Sequence, residues 1–394
     1  MHILSNDYEA NVPNAPYPAQ GGPARFSSRL VKALLAGKHS YTGVVTVNTE
    51  DKAPTMEPIG TKGASNYYRL HFPKTLYNAV AKSKTVKKPE ITLAPIVECF
   101  QEIIKKENID LVFINGFGLR VWPLLIAAHR ENIPVVQKHA GIWHKELDIY
   151  EDFYTKNGIK IMKGMERDIT KYASKQVFLN TYSENVFQKE ISKSPKSKRM
   201  IIPLPTPFRA IKKRTKKKKD TQINIGVVAR WDRIKNHQAI LAVAEELYKQ
   251  KVPAKIHVIT RVPNTPKDAH MKKRYHDLIE IHPTTDAKGI LAFYRGMDIA
   301  ILPSHFDVSP TVVLEAASQG TGTIISPNVG WVNHYRQTGN TQWIGDFTKP
   351  KSIVKKIQKL ADHSLSNELL KKFKLEHESK NVFPKYIRLF KSLT

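Results

Sequence analysis

Residues 299–326, IAILPSHFDVSPTVVLEAASQGTGTIIS, constrain the fold more than any other stretch of this chain. The apolar run Ile299–Leu302 predicts a buried strand, because four consecutive apolar residues suit a strand covered on both faces. A polar loop follows, then an apolar helix over Thr311–Ser318 and a second strand at 322–326. Such a strand–helix–strand unit is typical of a parallel sheet, in which ligands bind beyond the carboxyl ends of the strands.

The ends of the predicted helix carry their own signals. Ser309 before Pro310 predicts an N-cap followed by a first-turn proline, and Gly320 predicts the helix end. Two carboxylates, Asp307 and Glu315, flank the helix start eight positions apart. This spacing favours a polyhydroxyl ligand held at two points, while the helix N-terminus faces an anion.

The same alternation of short apolar strands and helices recurs along the chain, with strands predicted for example at 110–115, 133–137 and 223–230. With 394 residues the chain is too long for one core, so two doubly wound domains are expected. We expect an N-terminal domain at 1–205, a linker at 206–220, a second domain at 221–374, and a C-terminal helix at about 375–394 that crosses back to the first domain.

The formal net charge of +28 concerns partners and not fold. It leaves three interpretations open: contact with anionic lipid, contact with nucleic acid, or a lysine-rich source proteome. The single cysteine, Cys99, fits a reducing compartment. Neither a signal peptide nor an apolar run long enough to span a membrane is evident. The expected location is the cytoplasm, with the inner face of the membrane as a further possibility.

Two basic stretches invite a binding interpretation. Residues 61–90 interleave aromatic side chains with lysine and arginine, which fits either a membrane surface or a solvated loop over core aromatics. The run KKRTKKKKD at 212–220 follows three prolines and predicts an exposed linker, with a nucleic-acid patch as the alternative.

Several polar residues lie where a doubly wound sheet would place a ligand. Arg230 and Lys235 stand five apart after a predicted strand, a spacing that suits a diphosphate or else marks two surface cations. Gly21 and Gly22 precede a predicted helix and fit either a phosphate-binding turn or an ordinary loop. His139 follows another predicted strand, with His144 nearby, and a core role is the alternative for each.

Three motifs of the second half resemble the nucleotide-sugar domain of GT-B glycosyltransferases of the family-four type, the glycosyl transferases group 1. They are the strand–Arg–Lys–helix segment GVVARWDRIKN, the strand GMDIAILPS, and the acidic-to-Glu spacing of DVSPTVVLEAASQG. In the first half the resemblance extends to GGPARF, the strand before His139, and the pair of elements at 166–179.

The resemblance implies a fold and a set of site residues. The fold is α/β, of the GT-B type, with two doubly wound Rossmann-like domains facing a cleft. Arg230 and Lys235 would hold the donor diphosphate, Asp307 the sugar hydroxyls and Glu315 the ribose. The remaining implied contacts are the backbone of Ser309, Pro310, Thr311 and Val312, the Gly21–Gly22 turn, and His139 beside the transferred sugar.

The resemblance further implies a metal-independent, retaining transfer of a hexose from a nucleotide diphosphate sugar, with no cofactor. The acceptor would be a glycan, a lipid or another cell-envelope molecule. A basic nucleic-acid- or membrane-binding protein on a degenerate scaffold, or a GT-B epimerase, remains the alternative. Two departures concern the sugar pocket: Asp307 stands where the family has Glu, and Trp331 follows Gly330 where it has a second Gly. A bulky indole is expected to crowd or stack on the sugar pocket.

Overall fold

The computed structural model describes residues 1–15, 22–85, 88–206, 222–260 and 279–394. The chain divides into two compact units, Met1–Pro205 together with Lys380–Thr394, and Thr206–Ser379. Of the predicted linker 206–220, only Thr206 belongs to the described residues. The lysine-rich run and Gly21 therefore lie outside them.

The first unit is built on one sheet with strand order β3-β4-β2-β1-β5-β6-β7-β8. All neighbouring strands are parallel except β3 and β4, which form an antiparallel edge. The strands are β1 (His2–Asp7), β2 (Ser40–Thr49), β3 (Thr55–Thr61), β4 (Ser65–Pro73), β5 (Leu111–Asn115), β6 (Val135–Lys138), β7 (Lys175–Phe178) and β8 (Arg199–Ile201).

The helices of the first unit are the crossovers of this sheet and a final helix from the C-terminus. They are α1 (Gly22–Ala36), α2 (Lys74–Ala81), α3 (Pro89–Thr92), α4 (Ala94–Lys106), α5 (Trp122–Arg130), α6 (Trp143–Ile149), α7 (Lys156–Tyr172), α8 (Thr181–Glu190) and, after the second unit, α15 (Ser379–Lys391). The apolar stripe of α15 packs on the first unit, where the ring of Tyr386 lies 5.1 Å from Phe26 and that of Phe390 lies 5.3 Å from Phe113.

The aromatic and basic stretch at 61–90 is not a loop, although the core aromatics expected in one of its two interpretations are present. It contains β4, paired with both β2 and β3, followed by α2. Tyr67, Tyr68 and Phe72 are buried in the core of the first unit. A strand inside a sheet needs apolar side chains on its covered faces, so these aromatic side chains contribute to the packing of the core.

The second unit is built on a parallel sheet with strand order β11-β10-β9-β12-β13. Its strands are β9 (Ile223–Val228), β10 (Ala254–Ile259), β11 (Ile279–His282), β12 (Ile299–Leu302) and β13 (Thr323–Ile325). Its described helices are α9 (His237–Lys249), α10 (Ala287–Gly296), α11 (Thr311–Ser318), α12 (Val332–Gln337), α13 (Pro350–Leu360) and α14 (Asn367–His377).

The predicted unit around β12 is present almost as the sequence indicated it. Strand β12 and helix α11 begin and end as expected, and β13 is shorter by one residue at each end. Gly320 follows the end of α11 with φ of 81°, a left-handed backbone that favours glycine. Among the described helices, none has the length and apolar character needed to cross a bilayer.

Candidate functional site

Two loops of the second unit meet at the carboxyl ends of neighbouring strands. Strands β9 and β12 pair in parallel, so the loop 229–236 after β9 and the loop 303–310 after β12 leave the same edge of the sheet. Each loop leads into a helix, α9 or α11. Because a ligand at this edge faces two loops and a helix N-terminus, the place is a natural anion site.

Asn236 joins the two loops. Its side-chain oxygen accepts from the Ala239 N–H and caps α9, and its Nδ2 donates to the carbonyl of Pro303 at 3.2 Å. The residue has φ of 54°, a left-handed conformation that asparagine tolerates better than most residues. The bond to Pro303 fixes the start of the second loop against the first.

Lys235 and Asp307 form an ion pair across these loops. Lys235 Nζ donates to Asp307 Oδ2, and the two side chains are only 17% and 14% exposed. A lysine ammonium has three donors, so it can keep Asp307 and still donate to an anion at the loop edge. The carboxylate therefore orients the lysine and partly neutralises it.

The position of Asp307 is fixed by its backbone as well as by the ion pair. Its N–H donates to the carbonyl of Asn328 at 3.2 Å, and its carbonyl accepts from Gly330 N–H at 2.8 Å. These bonds hold the loop after β12 against the loop after β13. They leave little freedom for Asp307 to move away from Lys235.

Arg230 differs from Lys235 in its surroundings. Its side chain is 78% exposed, and Nη2 lies 3.7 Å from Asp232 Oδ2. Its carbonyl accepts from His237 Nε2 at 2.6 Å, which fixes the backbone beneath the exposed guanidinium. Arg230 thus presents a charge at the same loop as Lys235 without a rigid side-chain position.

The predicted N-cap role of Ser309 is wrong. Pro310 occupies the N-cap of α11, no side chain caps the helix, and Ser309 Oγ is buried without a hydrogen-bond partner among the described residues. The Ser309 N–H instead donates to Asp307 Oδ1 at 3.3 Å. The Asp307 side chain thus closes a turn with the backbone two residues later, and it does so in place of a cap by Ser309. The first-turn amides of α11, at Thr311 and Val312, have no carbonyl to reach within the helix and suit an anion.

Glu315 lies one turn further along α11 and is half-buried. It lies close enough to the buried Tyr294 to contribute, after burial itself, to a raised pKa of that phenol. The carboxylate is therefore carried on the same helix whose start follows Asp307.

The expectation that Trp331 crowds or stacks on the sugar pocket is wrong. Its indole is fully buried in the core of the second unit, and its ring packs edge-on against Phe373 at 5.2 Å and His377 at 5.1 Å. Nε1 donates to the carbonyl of Pro310 at 2.9 Å. Trp331 thus supports the start of α11 from within the core.

His139, in the first unit, lies immediately after β6 and is buried. Its ring stacks on Phe178 with centroids 4.4 Å apart, and Nε2 lies 3.2 Å from Gln176 Oε1. Burial lowers the pKa of His139 to about 3, so the ring is neutral near pH 7. Its Nδ1 is buried without a hydrogen-bond partner in the described part of the chain, which leaves an acceptor and not a cation.

His144 is placed by a buried carboxylate. Glu166 accepts from the backbone N–H of Trp143 at 2.8 Å and of His144 at 2.7 Å, and its Oε2 lies 2.5 Å from His144 Nδ1. These contacts fix the start of α6 and the orientation of the ring. The structure thus places the two predicted histidines in the same unit, each oriented by a different neighbour.

Lys138, next to His139, was not among the predicted site residues. It is fully buried at the end of β6, its Nζ donates to Asn115 Oδ1 at 2.8 Å, and the ammonium lies 4.3 Å above the Phe26 ring. Asn115 in turn donates through Nδ2 to the carbonyl of Pro23 and to Ser27 Oγ, near the start of α1. This series of hydrogen bonds links the end of β6 to the helix that begins at Gly22. A Cβ atom added at Gly22 would meet no other atom within 4 Å.

The buried lysine makes stability depend on pH. Burial lowers the pKa of Lys138 from 10.5 to about 7, so between these values the unfolded chain binds more protons than the folded one. Stability contributed by this group therefore rises with pH in that window. From about pH 7 to about pH 9, we expect the free energy of unfolding to rise by about 2 kcal/mol more in the wild type than in Lys138→Met.

Urea denaturation of both proteins at the two pH values measures this difference. Lys249→Met, which changes an exposed lysine at the end of α9, is the matched control and should keep the wild-type pH dependence. Equal pH dependence in wild type and Lys138→Met would show that the buried amine stays charged.

The structure brings together only part of the predicted site. Arg230, Lys235, Asp307 and the start of α11 share one edge of the second unit, while His139 and Gly22 belong to the first unit. The residues that prediction missed are Asn236, Lys138 and Asn115. Asn236 precedes a helix as a typical N-cap, a signal that the sequence did contain.

Comparison with known proteins gives one family match and many structural ones. Residues 208–377 match the family described as glycosyl transferases group 1. No curated protein matches the chain in sequence. All the structural likenesses below are at low identity, so they bear on the fold alone.

Three solved structures illustrate the likeness. Sucrose-phosphate synthase from Thermosynechococcus elongatus is 15% identical with a TM-score of 0.74, covering 100% of this chain and 98% of the other. The E. coli trehalose-6-phosphate protein bound with UDP-2-fluoro glucose is 12% identical with a TM-score of 0.67, covering 99% of each. The catalytic domain of starch synthase IV from Arabidopsis thaliana, bound to ADP and acarbose, is 11% identical with a TM-score of 0.60, covering 100% of this chain and 99% of the other. The fold expected from the sequence, two Rossmann-like units of the GT-B type, is confirmed.

Proposed function

We propose that the protein is a retaining glycosyltransferase, because residues 208–377 match the family described as glycosyl transferases group 1 and the fold is of the GT-B type. It moves a hexose from a nucleotide diphosphate sugar to a glycan, a lipid or another cell-envelope acceptor. The observation that carries the proposal is the Lys235–Asp307 pair beside the start of α11. The family match and the fold support the reaction class. The ion pair supports a binding site for the negative charge of the donor diphosphate.

The donor diphosphate is the ligand that best matches this edge of the second unit. Lys235 donates to a phosphate oxygen while Asp307 keeps it in place, and Arg230 closes on the anion from its exposed position. The amides of Thr311 and Val312 add the positive end of α11. Two of the structural relatives bind related molecules, UDP-2-fluoro glucose in one and ADP in another.

The sugar and the ribose are assigned to the two carboxylates. Asp307 accepts from sugar hydroxyls, and its shorter side chain is already committed to Lys235 and to the Ser309 N–H. Glu315 accepts from the ribose hydroxyls. The choice among donor sugars therefore depends on the orientation that the ion pair with Lys235 gives the Asp307 carboxylate, more than on the length of its side chain.

In the proposed reaction, the bond between the sugar's anomeric carbon and the phosphate oxygen breaks, and the electron pair leaves with the diphosphate. The acceptor oxygen bonds to the same face of that carbon, and its proton passes to the departing phosphate oxygen. Lys235 and Arg230 stabilise the negative charge that develops on the leaving group, which is electrostatic catalysis that needs no metal ion. His139, being neutral, contributes a hydrogen-bond acceptor and not a proton.

The net charge of +28 favours acceptors at anionic surfaces, including lipids. This supports a cell-envelope acceptor without choosing among glycan and lipid.

The test is release of nucleoside diphosphate from a panel of UDP-, ADP- and GDP-sugars in the presence of simple sugar acceptors. We expect turnover with at least one donor, and a product with the donor's anomeric configuration by NMR. An altered free sugar formed without an acceptor would indicate an epimerase. No turnover with any donor, together with salt-dependent DNA binding, would favour the binding protein and contradict the proposal.

A further inference from the structure

Three side chains on the edge of the second unit's sheet form a cluster that the proposed transferase chemistry does not use. They are His257 on β10 and Glu280 and His282 on β11, and their ligand atoms all lie within 4.8 Å of one another. We propose that they bind a divalent transition metal of the Zn²⁺ type, which links the edge strand β11 to β10.

The strand register creates the cluster. His257 stands directly opposite Glu280, and His282 lies diagonally, two residues further along β11. Residues two apart on a strand share a face, so all three side chains point to the same side of the sheet. The strand pairing alone therefore brings the three side chains together.

The distances fit a tetrahedral ion. His257 Nδ1 lies 3.1 Å from His282 Nε2 and 3.6 Å from Glu280 Oε2, and His282 Nε2 lies 3.6 Å from the other carboxylate oxygen, Oε1. Donor atoms about 2.0–2.1 Å from Zn²⁺ at tetrahedral angles stand about 3.3–3.4 Å apart. The separations of 3.1 and 3.6 Å lie on either side of this value, so a small rotation of the Glu280 carboxylate would present one oxygen to an ion held by both histidines.

The surroundings prepare His257 as a ligand. Its Nε2 lies 3.4 Å from Asn224 Oδ1, an acceptor that favours the proton on Nε2 and leaves the Nδ1 lone pair toward the cluster. Ligating histidines are commonly oriented by such a partner on the second nitrogen. On the other side, the ring of Phe293 packs edge-on against His282 at 5.8 Å and gives the cluster an apolar wall.

Glu280 supplies the negative charge of the set. A hydrogen bond from Lys255, at 2.6 Å from Oε2, is the main cause that holds its pKa below the usual range. Lys255 is a competitor for the carboxylate, and both side chains are nearly half exposed, so the ammonium can turn toward water when a metal binds. Two imidazoles and one carboxylate leave the fourth tetrahedral position for water.

The experiment titrates the intact protein with Co²⁺ and follows the visible absorption of tetrahedral Co²⁺, then displaces it with Zn²⁺. We expect saturation at one ion per chain for this signal, and a thermal unfolding midpoint that rises with Zn²⁺ concentration, because an ion that binds only the folded state stabilises it. His257→Gln and His282→Gln should each weaken binding by at least about tenfold, since even second-shell changes at metal sites cost that much.

Matched controls separate this site from other histidines. His363→Gln removes an exposed imidazole elsewhere in the same unit and should leave the titration unchanged. Lys255→Met removes the competing cation and should preserve or tighten binding. Undiminished Co²⁺ binding in both His257→Gln and His282→Gln, or no tetrahedral signal in the wild type, would overturn the proposal. Since the readout is metal binding and not sugar transfer, its outcome is independent of the proposed activity.

Discussion

Replacing Lys235 with alanine is expected to lower kcat/KM for sugar transfer by about 10²–10³-fold, the range seen when one preorganised donor to a developing negative charge is removed. The physical reason is that Lys235 lies mostly buried and is oriented by Asp307, so its ammonium is held in a fixed position. Arg230 remains, but its exposed side chain has no such fixed position. Release of nucleoside diphosphate from the best donor of the panel is the measurement.

The same substitution leaves Asp307 without its cation, so a loss of folding must be distinguished from a loss of charge. The double variant Lys235→Ala/Asp307→Asn removes the unpaired carboxylate and should recover stability without recovering turnover. Lys249→Ala, at the exposed end of α9, is the matched control and should retain both. Recovery of turnover in the double variant would assign Lys235 a purely structural role.

Trp331→Ala is expected to destabilise the second unit by about 3–5 kcal/mol, the usual cost of truncating a buried tryptophan. The indole contacts Phe373 and His377 in the core, and its N–H satisfies the carbonyl of Pro310. Removing it opens a cavity and leaves the Pro310 carbonyl, directly before the start of α11, with only the longer 3.3 Å hydrogen bond from the Val313 N–H. Urea denaturation gives the free energy of unfolding.

Tyr248→Ala is the control for this substitution, because Tyr248 is an aromatic residue of the same unit that is 78% exposed. It should change stability by less than about 0.5 kcal/mol. If Trp331 instead lined the sugar pocket, Trp331→Ala would change the preferred donor while leaving the unfolding midpoint in place.

The fold was predictable where local signals agreed. Strand β12 and helix α11 carry an apolar run, a proline near the helix start and a glycine after its end, and the observed bounds follow them. Strand β4 was missed because its buried aromatics are interleaved with basic residues, which conceals the usual alternation of apolar and polar positions. Only the pairing of β4 with β2 and β3, on either side of it in the sheet, makes those rings core residues.

The site was predictable as a set of residue types but not as a set of contacts. The spacing of Arg230 and Lys235 indicated an anion site, whereas the ion pair between Lys235 and Asp307 joins residues 72 positions apart. Serine is a residue type that commonly caps helices, but the backbone N–H of Ser309 donates to the Asp307 carboxylate and Ser309 does not cap α11. His257, Glu280 and His282 meet through strand register, which no local pattern reveals.

The most direct test of this site is isothermal titration calorimetry, in which nucleoside diphosphate is titrated into wild type, Lys235→Ala and Lys249→Ala and its affinity for each protein is measured. If the edge of β9 and β12 binds the donor through its diphosphate, with Lys235 as the fixed cation, wild type and Lys249→Ala will show saturable binding. Binding by Lys235→Ala is expected to be weaker by at least about tenfold, because one charge-assisted contact is lost. Equal affinity in all three proteins would contradict this prediction.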